Sequence, residues 1–234
     1  MSFISLFTLL GFSIANATPD LTYLEEQNPQ EYARISSLAP IPTRAGHLRF
    51  VGSDLVDAKW APLYLERYTN GTESTDVRNA LLDLLYRTLG TLPEEAISSY
   101  DEEPAQIRAS IIEMTDFGVI IPEKVQKDPS ALVRAAFVRQ VAKSPQASKK
   151  FILYALQDED PKVLADAARA AHQKECIEAT PALSSLALTD DHVVALRALY
   201  ALSKLDPASA RALVKKHNLI ASPHKNLALF AKGL

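Results

Sequence analysis

Five segments of the chain can be superposed on one apolar anchor residue each, and this internal repeat constrains the fold more than any other feature of the sequence. The five anchors are Val77, Ile107, Val133, Val163 and Val194. They follow one another at intervals of 26 to 31 residues. An internal repeat of this length is typical of stacked helical arrays, in which each repeat packs mainly against its two neighbours. The sequence therefore predicts an array of about five repeats.

Each repeat has the apolar pattern of a helix. Apolar residues recur at spacings of three and four, and Gly or Pro falls between the segments. The position five residues after the anchor lies round the side of such a helix, yet it is apolar in all five repeats: Leu82, Ile112, Val138, Ala168 and Leu199. A helix that packs on one side only has little reason to keep that position apolar. The pattern therefore favours a stack of helices over a simple bundle.

Residues that favour helix ends lie between the repeats. A carboxylate precedes four of the anchors by four or five positions, and we interpret these residues as N-terminal caps: Glu102, Asp128, Asp158 and Asp190. Prolines in the same approach suit a first helical turn because their φ is fixed, and these are Pro104, Pro129 and Pro161. Gly90 and Gly118 follow two of the helices, so they are predicted to be C-terminal caps.

An arginine directly follows the anchor in three repeats, at Arg78, Arg108 and Arg134. Residues 179–205 have a proline near the start of a helix, an acidic turn and then a second helix, and residues 148–171 are similar. In these features residues 55–205 resemble the HEAT-like repeat family, including the repeats of phycobilin lyases. The resemblance implies an all-α fold, a right-handed α-solenoid (alpha-alpha superhelix) of about five HEAT-like helical pairs.

The last two repeats depart from this pattern. Leu164 and Ala195 stand at the position where the other three repeats have arginine. Arginine there is expected to supply a ladder of polar contacts between successive repeats, so no such ladder is expected at this end of the array.

The N-terminus has the pattern of a secretory signal. Residues 1–17 contain no charged side chain and are mostly apolar from Phe3 to Ile14, a run too short to span a bilayer comfortably. The segment ends in Ala15-Asn16-Ala17, the small-x-small pattern at which signal peptides are cleaved. We predict a cleaved signal peptide and a secreted or periplasmic mature protein. A buried N-terminal helix or an uncleaved anchor is the alternative.

After the signal, the chain divides into two predicted regions. Residues 18–53 contain scattered prolines and are predicted to form an irregular leader or an N-terminal cap. Residues 54–234 form the predicted HEAT-like repeat domain with its C-terminal cap. They contain no apolar run long enough for a membrane span, so no integral membrane segment is expected in the mature chain.

A narrow outward sector remains on each predicted second helix, six and nine residues after the anchor. In a HEAT-like array the second helices line the concave face, so the resemblance implies a stripe along that face. We predict that this stripe binds a protein or peptide partner, and the site residues are Asp83, Tyr86, Glu113, Arg139, Arg169, His172 and Tyr200. The alternative interpretation is an ordinary solvated face.

The net charge of the chain changes from negative to positive between residue 54 and the C-terminus, and the charges along the predicted stripe change in the same direction. Residues 54–116 contain thirteen acidic and five basic residues, whereas residues 203–234 contain one acidic and six basic residues. Such a gradient can orient a partner. The basic C-terminus, with Arg211, Lys215, Lys216 and Lys225, is open to two interpretations: contact with an acidic partner or lipid headgroups, or a polar cap on the last repeat.

Aromatic residues form a second candidate surface before the repeats. Trp60, Tyr64 and Tyr68 are spaced four residues apart and lie on one face of a helix. Two interpretations are open, a set of anchors that grips a peptide and the core packing of a terminal helix.

The sequence contains no recognisable catalytic, cofactor or metal motif. The five histidines are scattered singly, and the one cysteine, Cys176, is predicted to be a buried, inert thiol. With 25 basic and 28 acidic residues, the chain lacks the positive excess of a nucleic-acid-binding protein. We therefore predict a non-enzymatic scaffold or adaptor with no cofactor, metal or nucleic acid. The alternatives are a HEAT-like enzyme of the chromophore lyase or DNA glycosylase type, and a structural envelope protein.

Overall fold

The computed structural model describes residues 56–234. Within this range the chain forms twelve α-helices and four short 3₁₀ turns, and it contains no strand. The prediction of an all-α fold is therefore confirmed for the described part of the chain. The predicted signal peptide at residues 1–17 and the predicted leader at residues 18–53 lie outside the described residues.

Contacts divide the chain into two compact units with a boundary between Ser98 and Ser99. In the first unit the helices are α1 (Ala61–Thr69), α2 (Thr75–Leu89) and α3 (Glu94–Ser98). Helix α1 packs against both α2 and α3. The Ser74 hydroxyl accepts a hydrogen bond from the Val77 amide at the start of α2, and Gly90 ends α2 in the left-handed conformation with φ 74°. The predicted C-cap at Gly90 is therefore confirmed.

The second unit contains nine helices. They are α4 (Ala105–Met114), α5 (Pro122–Val125), α6 (Ala131–Lys143), α7 (Lys150–Ala155), α8 (Pro161–Gln173), α9 (Thr180–Leu186), α10 (His192–Leu205), α11 (Pro207–His217) and α12 (Lys225–Lys232). Helices α4, α6, α8 and α10 each contain one repeat anchor, and we call them the anchor helices. Each anchor helix packs against the next one, and each shorter helix from α5 to α9 packs against the anchor helix that follows it.

The core is built from the positions that the repeat selects. The five anchors are at most 1% exposed. The five positions that follow the anchors by five residues are also buried, with no more than 3% of any of these side chains exposed. Each anchor-containing helix is therefore covered on its side as well as on its anchor face, as the sequence pattern predicted.

The predicted N-terminal caps were placed too early in the chain. The capping carboxylates are Asp160, which accepts from the Lys162 and Val163 amides at the start of α8, and Asp191, which begins α10. Asp158 and Asp190 lie before these caps. A cap must directly precede the first helical residue for its side chain to reach the second or third amide of the helix. The carboxylates at the predicted positions are thus left for other contacts.

The other predicted helix ends gave mixed results. Pro161 lies in the first turn of α8, as predicted, whereas Pro104 is the N-cap residue of α4 and Pro129 precedes the N-cap residue of α6. Gly118 has φ 96° but lies in the turn after α4, which ends at the C-cap residue Thr115. The predicted C-cap at Gly118 was therefore wrong by three residues.

None of the helices between residues 56 and 234 combines the length and apolar character that a membrane crossing requires.

Candidate functional site

Side chains three and six residues after the anchors meet across three successive anchor helices. The Arg139 guanidinium on α6 pairs with Glu113 on α4, where its Nε donates to Oε1 at 2.9 Å. Its Nη1 also lies 2.6 Å from Oδ2 of Asp166 on α8. Asp166 in turn accepts from Nη2 of Arg169 at 3.3 Å. A chain of ion pairs therefore runs from α4 through α6 to α8.

The electrostatics of Arg139 follow from this double pairing. Burial disfavours its charged form, but hydrogen bonds to Glu113 and Asp166 outweigh that effect, so the pKa of Arg139 is raised. The guanidinium stays cationic while two carboxylates neutralise it. Arg139 therefore contributes mainly to the order of this surface rather than offering a free charge.

Aromatic rings continue the same line onto α10. The His172 ring on α8 meets the Tyr200 ring on α10 edge to face, with 5.7 Å between ring centroids. Tyr200 also contacts Phe230 on α12 at 5.7 Å, and its side chain is 43% exposed. We call the surface formed by Glu113, Arg139, Asp166, Arg169, His172 and Tyr200 the anchor-helix surface.

The structure thus brings together five of the seven predicted site residues. The other two, Asp83 and Tyr86, lie on α2 in the first unit. The Asp83 carboxylate is 3.8 Å from the Arg87 guanidinium one turn later, and Tyr86 is exposed. These two residues are described within their own unit alone.

Beside Tyr200, helices α8, α10 and α12 form an open groove of about 720 Å³, which we call the α12 groove. It is lined by Arg169, His192, Val193, Leu196, Arg197, Tyr200, Asn226, Leu229 and Phe230. Two of the apolar side chains are largely exposed, Val193 at 46% and Leu229 at 71%. The lining contains two arginines and no carboxylate, so the groove is apolar with a cationic side.

A second recess of about 570 Å³ adjoins the α12 groove and shares Arg169, Val193 and Arg197 with it. Both carboxylates in this recess are already engaged. Asp166 pairs with Arg139 and Arg169, and Asp191 accepts hydrogen bonds from the Val193 and Val194 amides at 2.9 and 3.0 Å. Four cationic side chains line the recess against these two carboxylates, so its lining carries a net positive charge: Arg139, Lys162, Arg169 and Arg197.

Two cations of this region have no carboxylate partner among residues 56–234. They are Lys162 at the start of α8 and Arg197 on α10, and both side chains are exposed. Arg197 therefore gives the α12 groove an exposed positive charge that forms no ion pair in the described part of the chain.

A different set of ion pairs connects the loops before the anchor helices. The Arg108 guanidinium binds both carboxylate oxygens of Asp128, at 3.0 and 2.8 Å. Arg134 binds Asp158 in the same two-point manner, at 2.7 and 2.8 Å, and also donates to the Asp128 carbonyl at 2.9 Å. Asp128 and Asp158, which we predicted to be helix caps, are therefore the acceptors of an Arg–Asp ladder.

The ion pairs of the Arg–Asp ladder shift the pKa values of the paired side chains in the expected direction. A hydrogen bond to Asp158 is the largest influence on Arg134 and raises its pKa, with burial opposing. Burial acts to raise the pKa of Asp158, but the hydrogen bond from Arg134 and two backbone amides outweigh it and leave the pKa lowered. Both groups of this rung therefore stay charged in the folded protein.

The ladder ends where the sequence indicated. Leu164 follows the α8 anchor, so α8 offers no guanidinium at the position that would face Asp190. Arg78, in the first unit, donates to the Tyr68 carbonyl at 3.0 Å and lies 4.7 Å from the centre of the Tyr68 ring.

The aromatic candidate surface is resolved in favour of core packing. Trp60, Tyr64 and Tyr68 are 2% exposed or less, and Tyr64 and Tyr68 lie on α1 in the first unit. Such buried rings offer no surface to a peptide. Cys176 is buried as predicted, its thiol is 3.6 Å from a Glu178 carboxylate oxygen, and burial raises the pKa of the thiol.

Three residues important to the site were missed in the sequence. Asp166 and Arg197 lie three residues after their anchors, so they share a face with the predicted positions six residues after them. The spacing of three residues from the anchor could therefore have identified Asp166 and Arg197 as site residues. Phe230 lies on α12, outside the repeat register, and nothing in the pattern relates it to Tyr200.

Comparisons with protein-family models, with curated proteins and with solved structures found no match to this chain. Its function is therefore inferred from its own residues and geometry.

Proposed function

We propose that this protein is an exported, non-enzymatic scaffold or adaptor, in which HEAT-like repeats stack as a right-handed α-solenoid and a protein or peptide partner binds along the anchor-helix surface. The sequential packing of α4, α6, α8 and α10 supports the stacked arrangement. In stacked repeats, exposed positions of the same register come into line and form an extended binding surface. The predicted signal peptide supports export.

The observation that carries this proposal is the contact between register-equivalent side chains of successive helices. Glu113 and Arg139 both lie six residues after their anchors, and they form an ion pair across α4 and α6. His172 and Tyr200, nine and six residues after their anchors, make a ring contact from α8 to α10. A partner would therefore meet one ordered surface, with the exposed aromatic residue Tyr200 on its last helix.

The proposal is tested by in-cell crosslinking of a chain tagged through a flexible C-terminal linker, followed by mass spectrometry of everything retained. We expect one dominant protein partner and a mature N-terminus near Thr18. Tyr200→Ala should reduce capture several-fold because it removes the exposed ring from the anchor-helix surface. Tyr154→Ala is the matched control, since Tyr154 is similarly exposed but lies on α7, away from this surface.

Two results would contradict the proposal. Equal capture by the Tyr200→Ala and Tyr154→Ala variants would place the partner elsewhere on the molecule. Retention of Met1 without any enriched protein would remove the support for both export and the adaptor function, and would favour the enzymatic alternative.

A further inference from the structure

The α12 groove exposes apolar side chains in one place. Leu229 and Phe230 from α12 and Val193, Leu196 and Tyr200 from α10 line it, and Val193, Tyr200 and Leu229 are exposed. Single exposed apolar residues are common on protein surfaces, but a contiguous apolar patch with a polar rim is typical of an interaction site. The groove therefore has the character of a surface that a ligand covers.

The charged side of the groove indicates what that ligand carries. Arg197 has no carboxylate partner in the described part of the chain, and the Arg169 Nε is buried without a hydrogen-bond acceptor there. Arg169 has one contact with Asp166 through Nη2, at a long 3.3 Å. Both arginines line the groove, so a carboxylate bound there lies beside guanidinium groups that donate charge-assisted hydrogen bonds. Charge complementarity thus calls for an acidic group.

The polar groups of the groove favour a peptide over an acyl chain. The Asn226 side chain on α12 is exposed and has no hydrogen-bond partner among residues 56–234. Its amide can donate to and accept from a peptide bond, which a hydrocarbon chain does not offer. Val193 and Leu229 are exposed to solvent in the groove, so an acyl chain bound there would stay partly in water, whereas a peptide can bury some side chains and leave others solvated.

We propose that the α12 groove binds a short peptide segment that presents a large apolar side chain to Leu229 and Phe230 and a carboxylate to Arg169 and Arg197. This inference rests on the proposed function, since it specifies the chemistry by which the partner is recognised. The peptide contributes the acid that the groove lacks and covers the apolar residues that the fold leaves exposed.

The probes for testing this are fluorescein-labelled dodecapeptides in a Gly/Ser background. Each contains two leucines and two aspartates at varied spacing, and each has one counterpart with asparagine for aspartate and another with serine for leucine. Anisotropy titrations with the purified full chain should show binding that weakens about tenfold or more in both counterparts, the loss expected for one charged hydrogen bond or one buried leucine.

Matched variants locate the binding. Arg197→Glu should abolish the preference for aspartate, whereas Lys143→Glu makes the same charge reversal at an exposed site at the end of α6 and should bind like the unmodified chain. Leu229→Ser should weaken binding, whereas Ile177→Ser, at another exposed apolar residue, should not. Circular dichroism of each variant verifies that the fold is retained.

The outcomes separate this inference from the proposed function. Equal affinity for aspartate and asparagine peptides, or unchanged binding by Arg197→Glu, overturns the acidic-peptide inference even where the crosslinked partner is still captured. Displacement of bound probe by oleate, with no discrimination among the peptides, overturns it in favour of an acyl ligand. Absence of peptide binding together with absence of a crosslinked partner overturns both proposals.

Discussion

The two ends of the second unit use the same helix plan differently. From α4 to α8, arginines and aspartates neutralise one another, both in the Arg–Asp ladder before the helices and in the ion pairs of the anchor-helix surface. From α8 to α12 the ladder is missing, Arg197 is unpaired among the described residues, and Leu229 is exposed. The difference indicates that charge at one end stabilises the fold and that charge at the other end is available to a ligand.

The largest expected effect comes from removing one member of the ladder. Arg134→Ala leaves the Asp158 carboxylate, whose side chain is 7% exposed, without its two-point partner. We expect the free energy of unfolding to fall by about 3 kcal/mol, because a nearly buried charge is left uncompensated. Urea denaturation followed by circular dichroism measures this loss.

Arg197→Ala is the matched control for that variant at the other end of the unit. Its guanidinium is exposed and forms no ion pair within residues 56–234. We expect a change below about 0.5 kcal/mol. Comparable losses in the two variants would contradict the division of roles between the two ends.

The sequence predicted the helical pattern well because that pattern depends on local spacing. The anchors and the positions five residues after them are buried as expected, since each follows from the period of one helix. Prediction from local spacing failed at Asp158, which we had predicted to be a helix cap. A carboxylate before a helix suits capping and ion pairing equally well, and only the three-dimensional packing of successive repeats places Arg134 within reach.

The site was predicted in part for the same reason. Glu113, Arg139 and Tyr200 share a register, so their alignment follows from the repeat and from stacking. Phe230 belongs to α12, a helix that contains no repeat anchor. The α12 groove depends on how that helix packs against α10. Such a contact is a tertiary property that the spacing of residues along the chain does not encode.

A second prediction concerns acid stability and has a smaller expected effect. The pKa of Asp158 is lowered in the folded protein, because burial, which would raise it, is outweighed by hydrogen bonds from Arg134 and from backbone amides. A carboxyl with a depressed folded pKa stabilises the fold above its unfolded pKa, and this contribution is lost as pH falls through the folded pKa. We therefore expect unfolding free energy to decrease below about pH 4.

Asp158→Asn identifies the source of that decrease. The variant is less stable at neutral pH, but it should lose less stability between neutral pH and pH 3 than the unmodified chain, as measured by urea denaturation at each pH. Arg134→Ala should show a similarly reduced dependence, because the same ion pair is absent. A full acid-dependent loss in both variants would assign the effect to other carboxyls.

A third prediction is that the ladder can be extended into the end that lacks it. Leu164→Arg places a guanidinium at the α8 position equivalent to Arg134 in α6. Asp190 is the nearest carboxylate in the next loop to the position equivalent to Asp158, one residue closer to its N-cap. We expect a favourable coupling energy of about 1 kcal/mol between this substitution and Asp190, since the new pair is more exposed than its ladder counterparts.

A double-mutant cycle with Asp190→Asn measures that coupling in urea denaturation. The cycle separates the pairing from the apolar contacts that Leu164 loses. Zero coupling would show that the last two repeats differ from the others in geometry as well as in sequence.

The smallest expected effect on stability is at the open end of the groove. Leu229 on α12 is 71% exposed, so Leu229→Ser removes little buried apolar area, and we expect a change below about 0.5 kcal/mol in the free energy of unfolding. Leu227→Ser, two residues earlier on the same helix, removes a side chain that is 5% exposed and should cost about 3 kcal/mol. Thermal and urea unfolding distinguish the two. A large loss from Leu229→Ser would mean that this residue stabilises α12 itself, whereas a negligible loss combined with weakened peptide binding would show that its exposed side chain serves recognition.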